Sequence, residues 1–310
     1  MIRCIKNRNI DLVSYTEVLN QSIQRKIYAY PKYLDTVCGE NWDLLVYGDY
    51  LAVMPIPFTK KLGFKFIINP KLCQQLGVFS RVDDMEINDK FLHYLLSKYK
   101  VKYYAFNDSN SFSKSLLTRR NYIIDTDDYI NINRHYSPKR RRKLRLDSEV
   151  IEFSKVDFIK DFGEVKQFMI SNFAGLEKDQ EITTYVDIFE KFFKSGSLQC
   201  LAFKYKEEII NLIAIYYDEY SVTLLGTFNN REFVKLAGSS YIIDKIIQQN
   251  IADKLFDFEG SELPNVEEFF LGFRPTLKPY SCIKNSNCMM IFSFLRNSIC
   301  SFIGLTKFVH

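Results

Sequence analysis

Histidine is almost absent from this 310-residue chain: three residues in all, beside seven cysteines that form no C-x-x-C pair. That scarcity excludes a zinc site of the usual Cys/His spacing and leaves no Cys–His pair in a recognisable catalytic setting. No G-x-S-x-G elbow occurs either, so covalent catalysis through an activated nucleophile is not expected. The cysteines, at 4, 38, 73, 200, 282, 288 and 300, are scattered, which fits a reducing compartment and no disulfide framework. Arg3, Lys6, Arg8 and Asp11 interrupt any apolar run at the start, so no signal peptide is read there and the cytoplasm is expected.

Aromatic residues, by contrast, are plentiful, with 27 Phe and 20 Tyr but a single Trp. The chain is 47% hydrophobic and 25% charged, ordinary for a globular protein. Its length exceeds a typical single core and suits two domains of about 150 residues each. The net charge is only +5, yet Ser137-Pro-Lys-Arg-Arg-Arg-Lys-Leu-Arg145 alone carries six basic residues. Basic character is therefore concentrated in one run, with Ser137 and Pro138 placed as N-cap and first turn of a helix. The run reads either as a solvated face or as a contact for a phosphate-bearing partner, tRNA among them; no motif supports DNA binding. From Cys288 to Leu305 the chain is apolar apart from Arg296 and Asn297, too short for a bilayer span. A helix packed on the protein is expected there, with a membrane-surface helix as the alternative.

In order, residues 11–38 read as helical, with Pro31 as an interruption. A hairpin follows over 43–55, turning at Gly48-Asp49, then a strand at 64–68, a helix at 88–98, and strands at 102–106 and 122–132. The second half repeats this plan, with a hairpin at 198–217. Lys102-Tyr-Tyr-Ala-Phe-Asn107 also matches Lys254-Leu-Phe-Asp-Phe-Glu259 in pattern. Two copies of one mixed α/β unit are expected, with boundaries at 1–136 and 137–287 and a tail at 288–310.

The most informative stretch is 221–280. Ser221–Gly226 reads as a strand, and Lys235-Leu236-Ala237-Gly238-Ser239-Ser240 opens a helix that carries Ile242, Ile243, Ile246 and Ile247 on one face. Small residues there leave N–H groups uncovered where the helix dipole favours an anion. Asp257 and Glu259 alternate with Phe256 and Phe258, so both acids are expected on one strand face as candidate general bases for an amine. The competing structural role is capping of the helix that starts near Pro264.

This order of elements resembles the cofactor half of the GNAT acyltransferase superfamily. DFEGS-x-x-P-x-V-x-x-F-F-x-x-F, Asp257 to Phe273, resembles the Fem-like branch, whose members carry two such domains in tandem. In the first half Asn41-Trp42-Asp43, Val53-Met-Pro55 and Gln75-Leu-Gly77-Val-Phe79-Ser80 fit the same group of bacterial proteins. The resemblance spans roughly residues 25 to 283 and implies an α/β (α+β mixed-sheet) chain of two GNAT-like N-acyltransferase domains. It implies transfer of an acyl group from acetyl-CoA or another acyl-CoA to an amine, a small molecule or a peptide. The alternative donor is aminoacyl-tRNA, held by 139–145 and serving a cell-wall precursor; the non-enzymatic alternative is a degenerate binding module. Residues 235–240 would hold the cofactor, with no metal. Asp257, Glu259 and Tyr280, with Tyr241 as a further candidate acid, would serve proton transfer, the tyrosines otherwise being half-buried structural residues. Tyr28 and Trp42 would line the acceptor groove, with Trp42 as a core residue the competing reading. The family's loop, Gln/Arg-x-x-Gly-x-Gly/Ala, keeps one glycine here, Gly238.

Overall fold

The computed structural model describes residues 1–176, 178–261 and 263–285. The apolar segment from 288, with Cys288 and Cys300, lies outside the described residues.

Fifteen strands are assigned among them: β1 (Ile2–Lys6), β2 (Trp42–Tyr47), β3 (Ala52–Lys61), β4 (Phe64–Ile68), β5 (Phe79–Ser80), β6 (Lys100–Ala105), β7 (Leu117–Arg119), β8 (Tyr122–Ile124), β9 (Ser154–Phe158), β10 (Leu198–Tyr205), β11 (Glu208–Tyr217), β12 (Ser221–Asn229), β13 (Leu255–Asp257), β14 (Thr276–Leu277) and β15 (Tyr280–Lys284). The α-helices are α1 (Leu12–Gln21), α2 (Pro31–Cys38), α3 (Met85–Lys98), α4 (Tyr129–His135), α5 (Pro138–Leu144), α6 (Ser148–Glu152), α7 (Gly163–Ser171), α8 (Asp179–Lys194), α9 (Gly238–Asn250) and α10 (Pro264–Leu271).

The described residues form two compact units, one of residues 1–119 with 280–285, the other within residues 120–279. The first unit's sheet runs β1-β2-β3-β4-β6-β15-β7, with β5 beside β3; the second runs β9-β10-β11-β12-β13-β8-β14. The two orders are the same plan. Four antiparallel strands lead to one parallel neighbour, β4/β6 in one and β12/β13 in the other, followed by two antiparallel strands. The sixth strand is exchanged in sequence: β15 at the chain's far end completes the first sheet, and β8 completes the second. The compact units therefore divide at 119/120 and 279/280, whereas the sequence reading divides the chain at 136/137 and 287/288. A division by local continuity follows the chain, but backbone pairing assigns β8 and β15 to the other copy.

Local chemistry explains several boundaries. Residues 11–38 are two helices rather than one interrupted at Pro31: α1 ends at Gln21 with Ser22 as C-cap, and Pro31 is the first residue of α2, where its missing N–H costs nothing. The strand expected over 122–132 stops at Ile124, because Asp128 caps α4 by accepting from the Ile130 N–H at 2.7 Å. Lys206 and Glu207 both adopt positive φ, 49° and 66°, in the tight turn joining β10 to β11.

In the first unit Tyr15, Tyr33, Trp42, Tyr104 and Phe106 are fully buried. Beside them, Asp83 accepts hydrogen bonds from the Ser111 hydroxyl, the Asn88 amide (2.8 Å) and the Asn110 amide (3.2 Å). Burial alone would raise its pKa, but these donors outweigh it and bring the carboxyl below its usual value. A depressed folded-state pKa means that Asp83 stabilises the fold above the unfolded pKa, about 3.9. That contribution is lost as pH falls through the folded value. Urea unfolding between pH 7 and pH 3 should accordingly show a smaller pH dependence in Asp83→Asn than in wild type; identical slopes would remove Asp83 from the account.

Candidate functional site

Strand β12 pairs with β13 only through Ser221–Thr223, and β13 ends at Asp257, while β12 continues to Asn229. Past that point the pairings of β12 are with β11 alone. The two parallel strands part, and the N–H and C=O groups along one edge of β12 are left without a strand partner, a template for an extended ligand.

At the end of this edge Asn230 accepts from the Glu232 N–H and starts a short 3₁₀ turn, Arg231–Leu236. Ala237 follows in the left-handed region, φ +56°, and α9 begins with no side-chain cap. Its first-turn N–H groups thus meet no side-chain acceptor at the positive end of the helix dipole. Gly238 is required by space, not by its φ. A Cβ there would overlap Asn211 Oδ1 and come within 2.8 Å of the Phe203 ring. The Asn229 carboxamide oxygen holds the floor together, accepting from the Ser239 hydroxyl and from the Asn211 amide at 2.8 Å. Asn211 Oδ1 is buried and makes no hydrogen bond.

These residues surround a pocket of about 120 Å³, whose wall includes Asn211, Asn229, Ala237, Gly238, Ser239, Ser240, Phe269 and, from the basic run, Lys143. Lys235 and Leu236, expected among the cofactor-holding residues 235–240, do not line the pocket, Lys235 being exposed; Lys143 supplies the cation instead. Sequence spacing has no means of linking positions 143 and 238, because α5 reaches α9 only through the fold.

The basic run is split by its helix. Arg140 is 5% exposed, its guanidinium over the Phe269 and Phe273 rings at 4.4 and 4.2 Å, donating to the Ser240 hydroxyl and to the Phe269 carbonyl at 2.7 Å. Burial pulls its pKa down to about 10, which still leaves it charged at neutral pH, fixed behind the first turn of α9. Lys139, Arg141, Arg142, Lys143 and Arg145 remain exposed.

Asp257 and Glu259 do not share a strand face, because the strand ends at Asp257. Asp257 is buried, accepts the Glu259 N–H at 2.8 Å, and receives the Asn121 amide at 3.4 Å. Glu259 adopts φ +55° and is half-buried, with Tyr185 near enough to feel its charge. Neither caps α10, whose N-cap is Leu263 and has no side-chain bond. Neither lines the 120 Å³ pocket. Tyr280 belongs to the first unit, buried with Ala105 and Cys282 in strand β15. Tyr241 lies one turn into α9, half-buried, edge-on to Phe203 at 5.9 Å. Tyr28 and Trp42, expected in an acceptor groove, are core residues 1% and 0% exposed. The Trp42 indole N–H donates to Asp35 at 2.8 Å, and Tyr28 packs edge-on to Tyr33 at 5.4 Å. Burial pushes the Cys38 and Cys200 thiols up to about 12, so neither is a ready nucleophile. Among the described residues no group of three or more His, Cys, Asp or Glu is arranged to hold a metal, and no helix is long and apolar enough to cross a membrane.

Two parted parallel strands with an uncapped helix start at their end can be compared with known folds. FemX superposes with a TM-score of 0.61 at 10% identity, covering 90% of this chain and 96% of that one. A tandem GNAT protein from the clavulanic acid biosynthesis pathway gives 0.52 at 10% identity, over 91% and 97%. The L-PGS structure from Bacillus licheniformis gives 0.51 at 12% identity, over 93% and 96%. The fold is a tandem GNAT, Fem-like fold. No protein-family profile matches the chain, and no curated protein matches it in sequence. Ala237, directly before α9, stands in the left-handed region that a glycine fits without strain.

Proposed function

We propose that the chain is an N-acyltransferase that moves an acyl group from acyl-CoA, acetyl-CoA included, to an amine. One observation carries this reading: the uncapped start of α9 opens on a pocket walled by Lys143, at the end of a β12 edge that no strand covers. The diphosphate of the donor would lie on the N–H groups of 238–240 and the Lys143 ammonium, with the Arg140 charge behind them. The acyl-bearing arm would run along the free edge of β12, where a backbone N–H can polarise the thioester carbonyl. The amine nitrogen then bonds to the carbonyl carbon as the carbon–sulfur bond breaks, the amine losing a proton and the thiolate gaining one. Glu259, two residues past the end of β13, is the proposed base, with Asp257 holding its turn. Catalysis rests on positioning and polarisation rather than on a covalent intermediate.

Calorimetry with CoA and acetyl-CoA tests this directly. Binding is expected, and Lys143→Gln should weaken it about tenfold, the worth of one charge-assisted contact. Glu259→Gln should lower turnover while leaving donor affinity nearly intact. Absence of binding to both ligands at millimolar concentration would sink the proposal. A second reading, aminoacyl transfer from tRNA, draws on the exposed Lys139, Arg141, Arg142 and Arg145. It calls for steep loss of tRNA affinity with salt, a slope that Arg141→Gln/Arg142→Gln flattens. CoA binding without turnover on any amine would favour a binding module instead.

A further inference from the structure

Lys143 and Phe269 also line a second, larger pocket of about 480 Å³, walled by α5, α10 and the turn that follows α10. Its cations are Lys139, Lys143 and Arg274, all exposed, with Arg140 buried beside them. Glu268 is the one acid in its wall among the described residues, and it is already paired with Lys139 at 3.3 Å. Three exposed cations thus face one acid, and the Lys143 pKa is lowered first by burial and then by Arg140 and Lys139, with Glu268 opposing. Arg140 adds a buried N–H, at Nε, that no acceptor satisfies. Gly272 leaves that edge of the guanidinium clear, since a Cβ at 272 would stand 2.8–2.9 Å from Nη2 and Nε. The Asn265 side chain, in the same wall, can donate as well.

We propose that this pocket binds the phosphate groups of a small molecule of nucleotide size, a phosphomonoester or diphosphate gripped by Lys139, Lys143 and Arg274. Three converging cations exceed what one carboxylate neutralises, whereas a phosphate carries up to two charges and accepts from every side. The volume falls in the range of small-ligand sites, about 300–1,000 Å³. The proposal goes beyond the acyl-transfer reading and does not depend on it.

Inorganic pyrophosphate is the probe, titrated calorimetrically into the full chain. Lys139→Gln/Arg274→Gln removes two exposed charges, neither lining the α9 pocket, and should weaken binding at least tenfold. Glu268→Gln frees Lys139 and removes an opposing charge from the wall, so it should tighten binding several-fold. An increase in affinity cannot arise from a damaged fold, and circular dichroism checks that the double variant stays folded. Equal affinities in all three proteins, or no binding at millimolar pyrophosphate, would overturn the site. Because Lys139, Glu268 and Arg274 are absent from the α9 pocket, failure of CoA to bind leaves these outcomes readable.

Discussion

Replacing Trp42 with alanine is expected to destabilise the protein by about 3–5 kcal/mol, the range for truncating a large buried aromatic residue. The ring is fully buried, 5.8 Å from Tyr15 between centroids, and its N–H is committed to Asp35. The substitution therefore opens a cavity and strips Asp35 of a donor. Trp42→Phe keeps most of the volume and loses the hydrogen bond, so it should fall between the two. Urea unfolding followed by circular dichroism measures both, since the variants lack the only tryptophan. A stable Trp42→Ala protein with a raised KM for the amine would instead restore Trp42 as a wall of the acceptor groove.

Two neighbouring substitutions at the start of α9 should act in opposite directions. Gly238→Ala places a methyl group into Asn211 and the Phe203 ring, both part of the packed floor. Overpacking of this kind costs about 1–3 kcal/mol. The first turn must also shift off the floor that aligns its N–H groups, so CoA affinity should fall about a hundredfold if the donor site is at α9. Ala237→Gly does the reverse: it relieves a left-handed alanine, and stability should rise by about 0.5–1 kcal/mol against the added freedom of glycine in the unfolded chain. Donor affinity should be kept or improved. Thermal melting and calorimetry on the two proteins give four numbers. Loss of stability in Ala237→Gly, or unchanged CoA binding in a folded Gly238→Ala, would contradict the geometry.

Much of the fold is legible in the chain because it rests on local periodicity. The β10/β11 hairpin, α3, α5 with its Ser137-Pro138 start, and α9 with Ile242, Ile243, Ile246 and Ile247 buried all follow from spacing and caps. The tandem repeat is visible for the same reason, since each copy carries its own strand pattern. The site is legible only in part. A helix start with small residues can be read from 235–240, but alternation at 256–259 misplaces the acids, because the strand ends one residue before Phe258 and Glu259 turns into positive φ.

What the sequence by itself determined is the set of elements and the kind of chemistry open to them. Scarce histidine and scattered cysteines argue against a zinc site of the usual spacing and against a Cys–His nucleophile. Only the tertiary structure decided which residues share a site. Pairing sends β8 and β15 into sheets that local order does not indicate, hydrogen bonding across the sheet being blind to sequence distance. Packing turns Arg140 inward against two rings and leaves Lys143 on the pocket wall, although the run 139–145 is uniform in charge. It also buries Trp42, because packing covers both faces of β2 from Trp42 to Val46. Burial and contact are properties of the folded surface, and a linear pattern specifies them only where one face is plainly apolar.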